Sequence, residues 1–235
     1  MMRCLGLFYF KSQLLGQDEF AAMCRTGQVI EQDERGIKVL RFQNGDYLKI
    51  FRPRRRFSGT QLFSHARRFC RNAARLQVLQ IPTVRIQKLY HFEGNPHTAV
   101  LYSPLEGETL RGVVHKGNYD ACAIARKLGE FLAALHAKGV HFHSLHTGNV
   151  VLTPQGEFGL IDISDMSIYP WSLFCNTRIR SFKRLCRYKE DILLLGKPFW
   201  QEMLNHYFLA SGIREQCKLS ITDASYRDIP FPDMR

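Results

Sequence analysis

Acidic residues are scarce in this 235-residue chain, and none at all falls between Tyr47 and Phe92. Overall, 33 Lys and Arg stand against 21 Asp and Glu, a formal net charge of +12. Such a field favours polyanionic partners, meaning nucleic acid, anionic lipid or phosphorylated sugar. Cysteine is present without a pattern. Cys4, Cys24, Cys70, Cys122, Cys175, Cys186 and Cys217 include no C-x-x-C pair and are odd in number. That excludes a zinc ribbon, speaks against a disulfide framework and predicts reduced thiols in a cytosolic protein. No apolar run reaches the roughly 18 to 20 residues of a membrane-spanning helix. The segment from Met1 to Phe10 lacks the small-residue cleavage site of a secretory signal, so any membrane contact is expected to be peripheral. What is plentiful is core-forming material: 45% of residues are hydrophobic, 12% aromatic and only 23% charged, which excludes a disordered chain.

Patterning divides the chain near residue 102. Gln28 to Gln32, Ile37 to Phe42 and Tyr47 to Phe51 read as an antiparallel meander, with Asn44-Gly45 as a type I′ hairpin signal. Ser58 and Gln61 resemble a capping box, and Leu62, Ala66, Phe69, Ala73 and Leu76 then follow a helical period that stops before Pro82. Val84 to Tyr90 and Thr98 to Tyr102 predict two more strands. Beyond Ser103 the character becomes helical. Asn118 can cap a helix that ends at Gly139, a hairpin turns at Pro154-Gln155-Gly156, and helical patterns run over 178–195 and 199–210. The expected organisation is a β-rich lobe over 1–102 and a hinge with an α-helical lobe over 103–235.

The most specific stretch is His143-Ser144-Leu145-His146-Thr147-Gly148-Asn149, followed by Leu160-Ile161-Asp162. A protein-kinase catalytic loop reads H-R-D-L-x-x-x-N, with its Asn five residues after the Asp, and a second Asp then opens D-F-G. Asn149 lies five residues after Ser144, and Asp162 closes a strand beyond a hairpin. From about Gln28 to Arg187 the chain resembles the bacterial lipopolysaccharide-core (Kdo/heptose) kinase family, most closely the toluene tolerance proteins. The resemblance implies an α+β, bilobal protein-kinase-like fold: a small antiparallel sheet with one helix, then a mainly helical lobe. It implies ATP and Mg2+ as cofactors. It places Lys49 on the nucleotide phosphates, Asn149 and Asp162 on the metal, His146 near the transferring phosphate, and Ser103 to Gly107 at the hinge.

Three departures accompany it. Ser144 stands where the general base belongs, and a lone hydroxyl takes no proton near neutral pH; His143, His146 and Asp165 are the other proton acceptors at hand. The first β-turn carries one glycine, Gly36, in place of a Gly-rich loop. Asn72 stands where a helix Glu would pair with the strand lysine, so Lys49 must find its partner elsewhere. The alternative reading is therefore a catalytically inactive pseudokinase that senses nucleotide or acts as a scaffold in envelope biosynthesis. His141, His143 and His146 lack the spacing of a zinc site. The basic clusters, Arg52, Arg54, Arg55 and Arg56 with Arg67, Arg68, Arg71 and Arg75 on the following helix in one and Arg178, Arg180, Lys183, Arg184, Arg187 and Lys189 in another, suit anionic headgroups or sugar phosphates. With no helix-turn-helix, zinc-finger or RRM signature, nucleic acid is not the expected partner. The expectation is a protein at the cytoplasmic face of the inner membrane, with lipopolysaccharide core or lipid A glycolipid as its partner.

Overall fold

The computed structural model describes residues 10–53 and 65–226. The Ser58 and Gln61 capping box and the arginines Arg54, Arg55 and Arg56 lie outside the described residues. The fold is α+β and forms two compact units, one of 10–105 with Ile163–Asp165, the other of Glu106–Asp162 with 166–226.

The first unit contains β1 (Ser12–Leu15), α1 (Gln17–Thr26), β2 (Gln28–Asp33), β3 (Gly36–Arg41), β4 (Tyr47–Phe51), α2 (His65–Val78), β5 (Arg85–Phe92) and β6 (Thr98–Ser103). The sheet order is β1-β5-β6-β4-β3-β2, antiparallel except where β1 lies parallel to β5. Alternation along β4 divides its side chains between two faces. Leu48 and Ile50 join Leu40, Tyr90 and Ala99 in a core covered by Phe20 and Met23 of α1. Phe51 turns to the opposite face and meets Phe69 of α2, with ring centroids 5.8 Å apart. The meander matches the sequence reading, but its turn does not. Only Gly45 has a positive φ at this bend, whereas a type I′ turn needs two such residues. Asn44 instead spends its side-chain oxygen on the Asp46 N–H at 3.1 Å, and Phe42 N–H closes a longer loop on Asp46 O at 2.8 Å.

The second unit runs through β7 (Glu108–Thr109), α3 (Leu110–Lys116), α4 (Ala121–Ala137), β8 (Val140–Phe142), a 3-10 turn (Thr147–Asn149), β9 (Val150–Leu152), β10 (Phe158–Leu160), β11 (Met166–Ile168), α5 (Cys175–Leu185), α6 (Lys189–Ser211) and α7 (Glu215–Tyr226). Asp120, not Asn118, caps α4: its carboxylate accepts from the Ala123 N–H at 3.0 Å, because it sits three residues ahead of the first free amide it can reach. Gly129 lets α4 and α6 approach closely, since a Cβ there would collide with the Met203 carbonyl. The helical pattern expected over 178–195 is interrupted between α5 and α6, and the two later stretches join in one helix kinked at Gly196 (φ 79°), just before Pro198.

Two further findings correct the sequence reading. Cys175 and Cys217 form a disulfide between α5 and α7, against the expectation of reduced thiols; a pair 42 residues apart with no local motif leaves no trace in spacing. Arg178, counted among the surface cations, is buried. It donates to Leu173 O at 2.8 Å, Tyr207 Oη at 2.9 Å and Ser172 Oγ at 2.8 Å. Among the described residues no helix is long and apolar enough to cross a membrane. From β2 onward the element order, three antiparallel strands, a helix, two strands and then a helical unit carrying a loop and a hairpin, is the one the kinase resemblance implies; β1 and α1 precede it, so the β-rich unit has two helices where one was expected and one strand that pairs parallel.

Candidate functional site

β8 and β11 pair antiparallel, Phe142 opposite Met166 and Val140 opposite Ile168. The loop that leaves β8 therefore starts beside the segment that closes the β9–β10 hairpin, although the two are far apart in sequence. Within this frame the 3-10 turn is held by its own hydrogen bonds. Asn149 N–H donates to His146 O at 2.9 Å, and Asn149 Nδ2 donates to Ser144 O at 2.9 Å. The amide nitrogen of Asn149 is thus committed to the loop, leaving Oδ1 as its acceptor face. Ile161 N–H donates to Asn149 O at 3.1 Å, which sets Asp162 one residue from the Asn149 backbone. Asp162 itself has φ +52°, a left-handed conformation rare for a residue with a side chain. Such strain persists where surrounding contacts enforce it and concentrates at functional positions.

His146 has a defined proton inventory. Its Nδ1 accepts the Gly148 N–H at 3.1 Å, and an amide can only donate. In the neutral imidazole the proton therefore sits on Nε2. Burial, reinforced by the Arg111 guanidinium, lowers the pKa of His146 below the ordinary histidine range. At neutral pH the ring offers an Nε2–H donor and no free base, so His146 is removed from the proton acceptors considered above. The other two are also engaged: His143 Nε2 lies 3.2 Å from Ser167 Oγ, and Asp165 meets Arg68 at 3.4 Å.

Sequence spacing brings Ser144, His146 and Asn149 into one turn with Asp162 beside it, and it misses what supports them. Arg184, expected at a membrane surface, donates to His143 O at 2.7 Å and braces the loop from α5. Asp191 of α6 accepts two bonds from Arg111 Nε and one of 2.7 Å from Arg111 Nη2, and it accepts the Thr147 hydroxyl as well. The Tyr188 ring meets His146 edge to face, centroids 4.8 Å apart. An acid placed directly before the apolar run Ile192 to Leu195 is the one sequence signal for Asp191, and Glu190 beside it blurs even that; nothing local marks Arg184 or Tyr188.

In the β-rich unit, Lys49 lies on β4 between β3 and β6, and its ammonium sits over the rings of Phe51 and Phe69 at 5.7 and 5.9 Å. It is thus on the α2 face of an interior strand. Asn72 of α2, at the position expected for a Glu, donates instead to Ile163 O at 2.7 Å. Arg52 pairs with Asp33 at 2.7 Å and donates to Ile37 O, so it serves the meander. Among the described residues no group of three or more His, Cys, Asp or Glu could hold a metal ion. Asn149 and Asp162 do carry oxygen donors, the kind that Mg2+ takes from one or two protein side chains while phosphates and water complete its shell.

No protein family matches the chain, and no curated protein does. Among solved structures it is similar to the bifunctional kinase-methyltransferase WbdD, at 16% identity and a TM-score of 0.48, over 80% of this chain and 42% of that one. The chain thus spans less than half the length of that protein's solved chain.

Proposed function

We propose that the chain is an ATP- and Mg2+-dependent phosphotransferase acting on a sugar hydroxyl of the lipopolysaccharide core. The observation that carries this reading is the turn that holds the His146 Nε2–H and Asn149 Oδ1, with its Asn149 carbonyl bonded to the Ile161 N–H one residue before the strained Asp162. Asn149 and Asp162 would hold Mg2+, which neutralises charge on the phosphates when bound. Lys49, in its own unit, is assigned to the α and β phosphates. His146 donates from Nε2 to an oxygen of the transferring group and so favours the charge that develops there. Ser144 takes no proton in this scheme. Transfer through a loose transition state depends more on positioning than on proton removal, and the acceptor proton leaves to solvent. The chain would act at the cytoplasmic face of the inner membrane, where exposed Arg180 and Arg187 suit an anionic glycolipid.

Ser144 at the base position favours a second reading, a pseudokinase that binds nucleotide without transfer. Thermal unfolding with and without Mg2+ and ATP, paired with a transfer assay on purified core acceptor, separates the two. A ligand that binds the native state alone stabilises it by about 2.7 kcal/mol at a hundredfold excess over Kd. A shift and transfer that are both lost in Asp162→Asn support the phosphotransferase. A shift without transfer selects the nucleotide-sensing pseudokinase, and no shift at millimolar ATP removes the phosphotransferase and leaves the scaffold form of the pseudokinase.

A further inference from the structure

Beside the catalytic-type loop, the helical unit contains a cleft of about 420 Å³. That volume falls in the roughly 300–1,000 Å³ range of small-molecule sites. Arg111 and His115 of α3 form one wall; Arg187, Tyr188 and Lys189, at the approach to α6, form another. The charge of this cleft is not balanced from within. The Asp191 carboxylate is occupied by Arg111 and by the Thr147 hydroxyl. Glu190 is the other acid of the lining, against exposed Arg187, Lys189 and His115. Tyr188 joins the cleft to the loop. It meets the His146 ring at 4.8 Å, lies under the Arg111 guanidinium at 5.0 Å and keeps 42% of its surface exposed.

These features select a ligand that combines an anion with a ring. Exposed cations on a short segment match a phosphate, and the exposed aromatic ring beside them matches the apolar face of a sugar. We propose that this cleft is the acceptor site and that it takes a sugar already bearing a phosphate group, placing a free hydroxyl toward His146. The proposal rests on the phosphotransferase reading only for the word acceptor; the binding chemistry stands apart from it. The phosphate already present would be gripped by Arg187 and Lys189, while the new bond would form between the free hydroxyl oxygen and the γ-phosphorus as the bond to the departing ADP breaks and the hydroxyl proton leaves to solvent.

The test is calorimetric titration of the full chain with glucose 6-phosphate, glucose and inorganic phosphate as separate probes. Glucose 6-phosphate should bind at least about tenfold more tightly than either fragment, the factor that one charge-assisted contact contributes. The double variant Arg187→Ala with Lys189→Ala should erase that preference; both side chains are exposed, so the change tests contact with the ligand. Equal affinity for glucose 6-phosphate and inorganic phosphate would show a bare anion site and overturn the sugar assignment. No preference over glucose, or a preference kept by the double variant, would overturn the phosphate assignment. Mg-ATP stabilisation of the wild type is read separately. Its failure, with the sugar-phosphate preference intact, removes transfer and leaves the cleft. Loss of the preference, with Mg-ATP stabilisation intact, moves the acceptor elsewhere.

Discussion

The side chain of Asn72 donates a hydrogen bond to the main-chain carbonyl of Ile163 at 2.7 Å, with Asn72 only 2% exposed. The residue whose carbonyl is held follows Asp162 directly, so the amide on α2 fixes the path of the chain just past the strained position. A Glu at 72, the residue the kinase resemblance leads one to expect, could not make this bond when ionised, because it has no hydrogen to donate.

Asn72→Ala should therefore lower stability by about 1–3 kcal/mol, the cost of leaving a buried acceptor without its donor. Asn72→Glu should cost at least as much, because a buried carboxylate would face a carbonyl oxygen. It should not raise nucleotide binding. Urea midpoints of the three proteins check this, and an Asn72→Glu variant as stable as wild type would overturn the role given to the amide.

The buried pair of His136 and Tyr207 makes stability depend on acid. His136 Nδ1 and Tyr207 Oη lie 2.9 Å apart, and Arg178 also donates to that hydroxyl. Burial, with Arg178 adding to it, pushes the His136 pKa down to about 3 from an ordinary value of 6.5. The unfolded chain takes up a proton below pH 6.5 while the folded one does not. The contribution of neutral His136 is thus fully present above that pH and falls as pH drops toward about 3. The slope approaches about 1.4 kcal/mol per pH unit in that window. Denaturant midpoints between pH 7 and pH 4.5 should fall more steeply for wild type than for His136→Gln. Parallel curves would show that His136 does not carry the effect.

The Cys175–Cys217 disulfide closes a loop with a sequence separation of 42. Constraint of the unfolded chain by a loop of this length contributes about 4 kcal/mol in the chain-entropy account. Reduction should lower the melting temperature, and Cys175→Ser and Cys217→Ser should each reproduce the reduced value. A melting temperature indifferent to reductant would mean that the two thiols are not joined.

The parts of the fold that were legible in the sequence are those written locally. The β2–β4 meander shows in alternation, α4 in the period of Ile124, Leu128 and Leu135, and the loop in the five-residue interval from Ser144 to Asn149. What stayed hidden depends on partners far along the chain. β1 is four residues long and finds its place only by pairing with β5, Ser12 opposite Leu89. Arg184 carries the charge of a surface residue, yet its function is set by a carbonyl 41 positions away. Arg178 reads as part of a basic cluster because its partners, Leu173 O and the Tyr207 hydroxyl, are invisible to composition. The choice between Asn118 and Asp120 as a cap was decided by two residues of register, which periodicity alone does not resolve.

Asp191 accepts from Arg111 on α3, from Thr147 in the 3-10 turn, and sits in the first turn of α6. One carboxylate thereby ties together three segments spanning 80 positions of sequence. The turn carrying His146 and Asn149 is consequently not a loop that can breathe by itself: loosening it also releases the start of α6 and the grip on α3. Local opening of the helical unit should then proceed in one cooperative block. Whatever holds the His146 ring in place also holds the floor of the cleft beside it.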